Sequence, residues 1–185
     1  MDAALSRRGS LLLVLPLIMV ACSQAQETHP TDIQVKAAYL YNFGKFVKVS
    51  PDRRVDSFEI CVIGKDPFGT VLDSTVAGES IDGRQIAVRR LANIQAAEGC
   101  SVLFISSSEE ARLATILPSA QRWSLLTVSD LPRFAERGGN IGLITHNDRV
   151  RFEVNRASAE KSHLELSSEL LKLATRVIAT SNSGN

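Results

Sequence analysis

Continuous apolar strands constrain the fold of this chain more than any other sequence feature. Cys100 to Ile105 form an almost uninterrupted apolar run, which is typical of a strand buried on both faces of a parallel sheet. Phe58 to Ile63 is a similar run that Gly64 ends, and further strands are predicted over Gln85 to Arg90 and Leu125 to Val128. Helical patterns separate these strands, so the order predicts a mostly parallel α/β sheet.

The predicted helices share polar caps at their starts and apolar residues at helical spacing. Three longer helices are predicted over Ile33 to Val47, Glu109 to Leu117 and Glu169 to Ala179; Thr31-Asp32 precedes the first and three serines precede the second. Three shorter ones are predicted over Pro67 to Val76, from Asp130 to Gly138-Gly139, and from Asn155 through Ala159.

A hairpin signal completes the predicted sheet. Ile141 to Ile144 and Val150 to Val154 flank a polar turn, so we expect an antiparallel hairpin at one edge. The predicted fold is a three-layer α/β sandwich with helices on both faces of the sheet. We expect one domain over residues 33–179, a flexible segment over 26–32 and a disordered tail over 180–185.

The first 25 residues have the features of a secretory signal peptide. Arg7 and Arg8 form a positive start, and the eleven residues from Leu11 to Ala21 are apolar but too few to span a bilayer. Ser23-Gln24-Ala25 fits the small-x-small pattern that precedes signal-peptidase cleavage. We therefore expect a mature chain that begins near Gln26 in the periplasm, where disulfides form and nucleotide pools are absent.

Two other interpretations of this leader stay open. Met19-Val20-Ala21-Cys22 resembles a lipobox, which would make Cys22 a lipidated N-terminus, although Met fits its first position poorly. Ser6-Arg7-Arg8-Gly9-Ser10-Leu11 resembles a twin-arginine signal in which Ser10 replaces the usual Phe. Cleavage after Ala25 is the preferred interpretation.

Charge and cysteine content narrow the function classes. The leader holds two of the 21 basic and one of the 20 acidic residues, so 19 of each remain, and the basic excess of a nucleic-acid binder is absent. Cys61 and Cys100 remain as well, and in an oxidising compartment an isolated pair is most simply a disulfide. Two buried free thiols or a redox couple are the alternatives, and neither cysteine has the C-x-x-C spacing of a redox couple.

No catalytic, metal or cofactor site is indicated by the motifs. The loop from Gly64 to Gly69 stands where a nucleotide-binding loop would, but it lacks both the P-loop and the dinucleotide glycine patterns. His29, His146 and His163 are not at metal-ligand spacing, and Ser106 to Ser108 lack the frame of a nucleophile elbow. We therefore expect neither an enzyme nor a bound metal or cofactor.

Two groups of residues are candidates for binding. Backbone amides and cations near the first strand suggest an anion site, at Gly64, Lys65, Gly69, Arg84, Arg89 and Arg90. Aromatic residues off the predicted buried stripe of the first helix, together with the hairpin, suggest a partner contact at Tyr39, Phe43, Arg151 and Phe152. A solvated turn and a helix covered on two sides are the structural alternatives.

Several segments read together resemble the YfiR-type family of periplasmic regulators, over about Ile33 to Val177. They are Val35 to Val47, Cys61 to Gly69, Gly83-Arg84, Arg89-Arg90-Leu91, Cys100 to Ile105, Gly138 to Ile141, Arg151 to Asn155, and Leu166 to Ala174.

The resemblance implies a parallel α/β domain, often dimeric, that acts by binding and not by catalysis. Members bind the periplasmic sensor domain of an inner-membrane diguanylate cyclase and hold it inactive, which keeps cyclic-di-GMP low and restrains biofilm formation. An OmpA-type outer-membrane lipoprotein can sequester the regulator. Cys61 and Cys100 match the structural disulfide of the family, whereas a second, more C-terminal disulfide of some members is missing because no cysteine follows Cys100.

The sequence as a whole thus predicts a periplasmic repressor of a membrane diguanylate cyclase. The alternative is a small-molecule or anion-binding module. Its ligand would lie in the crevice at the carboxyl ends of the strands, near Gly64 to Gly69.

Overall fold

The computed structural model of this chain describes residues 31–49, 57–147 and 149–179. The predicted signal peptide with Cys22, most of the predicted flexible segment with His29, and the tail over 180–185 lie outside the described residues. Within those ranges, no helix has the length and hydrophobicity needed to cross a bilayer.

In the described part of the chain, eight strands form the central sheet and two form a small antiparallel sheet. The small sheet pairs β1 (Val47–Val49) with β9 (Leu164–Leu166). The central sheet contains β2 (Phe58–Ile63), β3 (Ser80–Ile81), β4 (Arg84–Leu91), β5 (Val102–Ile105), β6 (Leu126–Ser129), β7 (Ile141–His146), β8 (Arg149–Asn155) and β10 (Arg176–Ile178).

The strand order across the central sheet is β10-β8-β7-β6-β5-β2-β4-β3. All neighbours from β4 to β7 are parallel, which confirms the predicted parallel core. β7 and β8 are antiparallel, with His146 opposite Arg149, which confirms the predicted hairpin. β10 lies outside the hairpin and is parallel to β8, so the hairpin is next to the sheet edge and does not form it.

Five α-helices in the described residues pack on the sheet: α1 (Asp32–Phe46), α2 (Thr70–Val76), α3 (Leu113–Arg122), α4 (Arg156–Lys161) and α5 (Ser168–Leu173). Two predicted caps are present. The Thr31 side chain accepts a hydrogen bond from the Gln34 amide at the start of α1, and Asn155 accepts one from the Ser158 amide at the start of α4. Short 3₁₀ helices cover Ile94–Ala97 and Ser107–Arg112.

Each face of the sheet has its own apolar core, which confirms the three-layer arrangement. On one face, α1 and α2 cover alternate residues of the strands, including Ile60, Val62 and Phe104. On the other face, α3 and the 3₁₀ helices cover the remaining residues, including Ile63 and Leu103. Period-two alternation places successive residues of the buried central strands β2 and β5 in alternate cores.

The predicted C-terminal helix is only partly correct. α5 ends at Leu173, and the chain then extends so that the Thr175 amide donates to the Phe152 carbonyl oxygen at 2.9 Å. Arg176–Ile178 therefore form the edge strand β10 instead of two more helical turns. Thr175, Val177 and Ile178 are β-branched and favour this extended backbone.

Two other predicted helices also differ in extent. The segment after Asp130 forms successive turns and no helix, because Pro132 and the left-handed backbone of Arg133 (φ 56°) interrupt it. The helix predicted over Glu109 to Leu117 divides into a 3₁₀ turn and α3, which continues past Pro118.

Candidate functional site

The predicted anion-binding loop, Gly64 to Gly69, follows β2 and lies against the 3₁₀ helix that follows β5. The Lys65 amide donates a hydrogen bond to Ser108 Oγ at 2.9 Å. A Cβ built on Gly64 would lie 2.5 Å from the same oxygen and 2.7 Å from Glu109 Cγ. Ser108 and Glu109 thus occupy the crevice between β2 and β5, where ligands bind in many open α/β sheets.

The second half of this loop is also bonded internally. Asp66 Oδ1 accepts a hydrogen bond from the Phe68 amide at 2.7 Å, and Phe68 is buried. α2 begins only at Thr70, so Pro67 is not its first residue, in contrast to the prediction. Gly69 has a left-handed φ of 52°, which turns the chain into α2. The local conformation is that of a side-chain-stabilised turn.

Arg90 is held by acidic groups of its own chain. Its guanidinium donates to Asp73 at 2.8 and 2.5 Å, to Asp66 at 3.0 Å and to the Gly69 carbonyl oxygen at 2.7 Å. The hydrogen bonds and charge of Arg90 lower the pKa of Asp73, and hydrogen bonds to Asp73 and Asp66 raise the pKa of Arg90. The Arg90 guanidinium, predicted as part of an anion site, is therefore already bound to two carboxylates of the chain.

Arg89 and Arg84 are engaged in the same way. Arg89 donates to Glu59 at 2.5 Å and to the Ala96 carbonyl oxygen at 2.9 Å, which ties β4 to β2 and to the following 3₁₀ helix. Arg84 lies 3.4 Å from Asp82 and 5.5 Å from the centre of the Phe58 ring. The structure thus keeps the three predicted arginines near the loop but gives each of them a partner within the fold.

The aromatic residues predicted as a partner contact form a packed cluster between α1 and β8. The rings of Tyr39 and Phe43 stack at 5.4 Å, and Phe152 meets them edge-on at 5.4 and 5.1 Å. Phe43 and Phe152 are 1% and 3% exposed. The prediction that Phe43 lies off the buried face of α1 is therefore wrong, because α1 packs on the sheet where Phe43 contacts Phe152 of β8.

Tyr41, on the same helix, is less buried than Phe43. Its ring is half-buried beneath the Lys45 ammonium group, which lies 3.8 Å from the ring centre, and its hydroxyl donates to Glu79. Of the four predicted contact residues, Arg151 is the exposed one, and Tyr39 is half-buried with its hydroxyl donating to the Val150 carbonyl oxygen at 3.3 Å.

Cys61 and Cys100 form a disulfide with their Cα atoms 6.0 Å apart, and both are fully buried. The bridge joins β2 to the start of β5 within the second core. Glu59 completes a group whose ligand atoms lie within 4.8 Å of one another. Both sulfur atoms are used in the bridge and Arg89 binds Glu59, so the donor set does not fit a metal centre.

A groove that sequence reasoning missed lies at the opposite edge of the sheet, with a volume of about 1000 Å³. Its walls come from α3, the turns before β7, α4 and β10, and no local motif joins these distant segments. Hydrogen bonds from Arg133 and Arg176 lower the pKa of Glu136, while Glu153 and Glu136 raise the pKa of Arg176. The charged groups of the wall thus pair largely with one another.

Solved structures confirm the fold class of the domain. One similar chain is the ABC domain in complex with L-Trp from Streptococcus pneumonia, with a TM-score of 0.55 and 11% identity over 77% of this chain. Another is a conserved domain protein from Vibrio cholerae O1 biovar eltor, with a TM-score of 0.54 and 13% identity over 80% of this chain. This chain spans 60% of the length of each, and at these identities the likeness concerns the fold alone.

Sequence comparison identifies the family. A search of curated proteins returned no match. A family profile described as YfiR/HmsC-like matches residues 33–175, which is nearly the whole described domain. The chain therefore belongs to the YfiR/HmsC-like family, a family of periplasmic regulators of diguanylate cyclases.

Proposed function

We propose that this protein binds the periplasmic sensor domain of an inner-membrane diguanylate cyclase and represses it, which lowers cyclic-di-GMP and restrains biofilm formation. The family match over residues 33–175 is the observation that carries the proposal. The internal structure supports it. Ser108 and Glu109 occupy the crevice of the sheet, and the candidate arginines Arg84, Arg89 and Arg90 are paired with carboxylates.

The proposal treats the domain as a non-catalytic binding protein. His146 and His163, the histidines of the described residues, are both exposed and lie in separate parts of the fold. The buried Glu109 is bound by Arg112, its neighbour on the same 3₁₀ helix. Hydrolytic sites commonly place a general acid or base in contact with a nucleophile or a metal, and neither histidine nor the Glu109 carboxylate has a hydrogen bond to a nucleophile within the described residues.

The decisive experiment combines a binding assay with a cellular readout. Purified residues 26–185 should bind the purified periplasmic domain of a membrane diguanylate cyclase of the same bacterium in isothermal titration calorimetry. Expression of the full chain should lower cellular cyclic-di-GMP. The control is a chain that lacks residues 1–25, which should accumulate in the cytoplasm and leave cyclic-di-GMP unchanged. If the leaderless chain represses equally, the periplasmic mechanism is wrong.

Export and assembly form part of the same proposal. We propose cleavage after Ala25, a homodimeric regulator, and sequestration by an OmpA-type outer-membrane lipoprotein. A Cys22→Ser variant separates cleavage from lipidation, since only a lipoprotein would lose its membrane anchor and shift to the soluble periplasmic fraction. Sedimentation of residues 26–185 measures the oligomeric state directly.

A further inference from the structure

The β7–β8 hairpin projects beyond both of its neighbouring strands. β6 pairs only with Ile141 and Gly142 of β7, so the rest of β7 lies past the end of β6. On the other side, β10 pairs only with Glu153 to Asn155 of β8. The Thr175 amide bonds to the Phe152 carbonyl oxygen, so the free part of the hairpin runs from Leu143 to Arg151. It is a two-stranded projection that lies beyond the pairing of β6 and β10.

One face of this projection is covered by α1. Val150 and Phe152 point to that face and are buried. The Tyr39 ring packs on Phe152, and its hydroxyl donates to the Val150 carbonyl oxygen. Thr145 Oγ1 lies 3.2 Å from Asp32 Oδ2 at the start of α1. The covered face therefore belongs to the core of the domain.

The opposite face carries two arginines whose side chains have no ion pair within residues 31–49, 57–147 and 149–179. Cross-strand register places Ile144 opposite Arg151 and His146 opposite Arg149, so all four side chains share one face. We call these four residues the basic hairpin face. Arg149, Arg151 and His146 are exposed, and Ile144 is half-buried. Asn147 at the turn has a φ of 49°, typical of the tight turns that hold a hairpin in register.

The basic hairpin face lacks the carboxylate partners that most arginines of the described residues have. Glu153 continues the same face of β8, but Arg176 binds both of its oxygens at 3.0 Å. The side chains of Arg149 and Arg151 form no ion pair or hydrogen bond within the described residues. Eight other arginines of those residues do pair with a carboxylate: Arg84, Arg89, Arg90, Arg112, Arg133, Arg137, Arg156 and Arg176.

We infer that the basic hairpin face is the surface on which an acidic, extended segment of the cyclase sensor domain docks. Arg149 and Arg151 are two residues apart on one strand, so their Cα atoms are about 7 Å apart and their side chains point the same way. Carboxylates at alternate positions of a partner strand have the same spacing, and each could accept a bidentate guanidinium contact. Ile144 adds an apolar contact beside the two cations. This inference rests on the proposed function and names its contact surface.

The test compares two double charge reversals for binding to the cyclase sensor domain. Arg149→Glu/Arg151→Glu should weaken affinity by about 10- to 100-fold, because two attractive contacts become repulsive. The control, Arg122→Glu/Lys172→Glu, reverses two exposed cations on α3 and α5 and should leave affinity within about 2-fold. Both variants should melt within about 2 °C of the unchanged chain, since none of the four side chains bonds to a carboxylate of the described residues.

The results distinguish an error in the contact surface from an error in the proposed function. Equal binding by both variants would overturn the hairpin face while leaving repression intact. No binding by the unchanged chain would overturn the proposed function and this partner with it. A third assay uses vesicles that contain about 30% phosphatidylglycerol: if the unchanged chain binds them and only Arg149→Glu/Arg151→Glu loses binding, the face recognises an anionic membrane, and the acidic-protein occupant is wrong.

Discussion

Arg90 binds Asp73 through two parallel hydrogen bonds, from Nη1 to Oδ1 at 2.8 Å and from Nη2 to Oδ2 at 2.5 Å. The contact joins β4 to α2 across the end of the parallel core, and Asp66 joins it through Arg90 Nε. Bidentate geometry of this kind is the strongest form of arginine–carboxylate pair. We call the contacts of Arg90 with Asp73 and Asp66 the Arg90 clamp. They hold the loop after β2 in place, so a cluster that resembles an anion site in the sequence has a structural role.

The clamp predicts a pH-dependent contribution to stability. Arg90 lowers the pKa of Asp73, so the contribution is complete above the unfolded pKa of about 3.9 and is lost as the pH falls through the folded pKa. Because both side chains are more than a third exposed, Asp73→Asn should lower the free energy of unfolding near pH 7 by only about 0.5–1 kcal/mol. Urea unfolding should show this difference shrinking toward pH 3. The control is Asp82→Asn at a long, exposed pair, and an Asp73→Asn deficit that persists at low pH would contradict the clamp.

Inorganic phosphate should not stabilise the protein. The Lys65 amide and the Arg84, Arg89 and Arg90 guanidiniums have internal partners, so an anion would have to displace a carboxylate or a hydroxyl. Addition of about 10 mM phosphate at constant ionic strength should change the melting temperature by less than about 1 °C. A saturable rise that Arg89→Ala or Arg90→Ala removes would instead favour the anion-binding module.

Reduction of the disulfide should destabilise the domain strongly. Cys61 and Cys100 are 39 positions apart, and a closed loop of this length constrains the unfolded chain by about 4 kcal/mol. Dithiothreitol should therefore lower the melting temperature of the unchanged chain, whereas Cys61→Ala/Cys100→Ala should be less stable from the start and insensitive to the reagent. A melting temperature that does not respond to confirmed reduction would contradict a structural role for the bridge.

Gly44→Ala should destabilise the protein, against its effect on helix propensity. An added Cβ would lie 2.6 Å from Phe58 Cζ and 2.7 Å from Ile81 Cδ1, where α1 approaches the sheet. Alanine normally stabilises a helix interior by up to about 1 kcal/mol over glycine, but overpacking here should cost about 1–3 kcal/mol. Phe58→Leu in the same chain should recover part of the loss, and Asn42→Ala on the same helix is the matched control. Stabilisation by Gly44→Ala would show that α1 does not pack as closely as described.

The aromatic cluster should act through folding and not through direct contact. Phe43→Ala should lower the free energy of unfolding by about 3–5 kcal/mol, because it empties the centre of the first core. Tyr39→Phe removes one hydrogen bond to Val150 and should cost about 1 kcal/mol. The Tyr39→Phe protein, once shown to be folded, should bind the cyclase domain as the unchanged chain does. Weaker binding at unchanged stability would instead assign Tyr39 to the partner contact.

Local sequence signals account for the elements that were predicted correctly. The apolar runs that became β2 and β5, the caps at Thr31 and Asn155, and the polar turn between β7 and β8 depend on neighbours within a few residues. Long-range pairing decided the elements that were missed. The apolar spacing of the predicted helix from Glu169 to Ala179 is compatible with a helix. Arg176–Ile178 instead pair with the edge of β8 and become part of the sheet.

The sequence by itself determined the α/β class, the parallel core, the hairpin and the cysteine pair, because hydrophobic periodicity and turn chemistry are local properties. It also identified candidate binding cations. Only the tertiary structure decided which of these cations pair with a carboxylate of the same chain. Arg90 meets Asp73 and Arg89 meets Glu59 across strands and helices, whereas Arg151 meets no carboxylate of the described residues. Whether a charged side chain is free to bind a partner depends on groups that folding brings together from distant parts of the chain. The spacing of residues in the sequence does not reveal those groups.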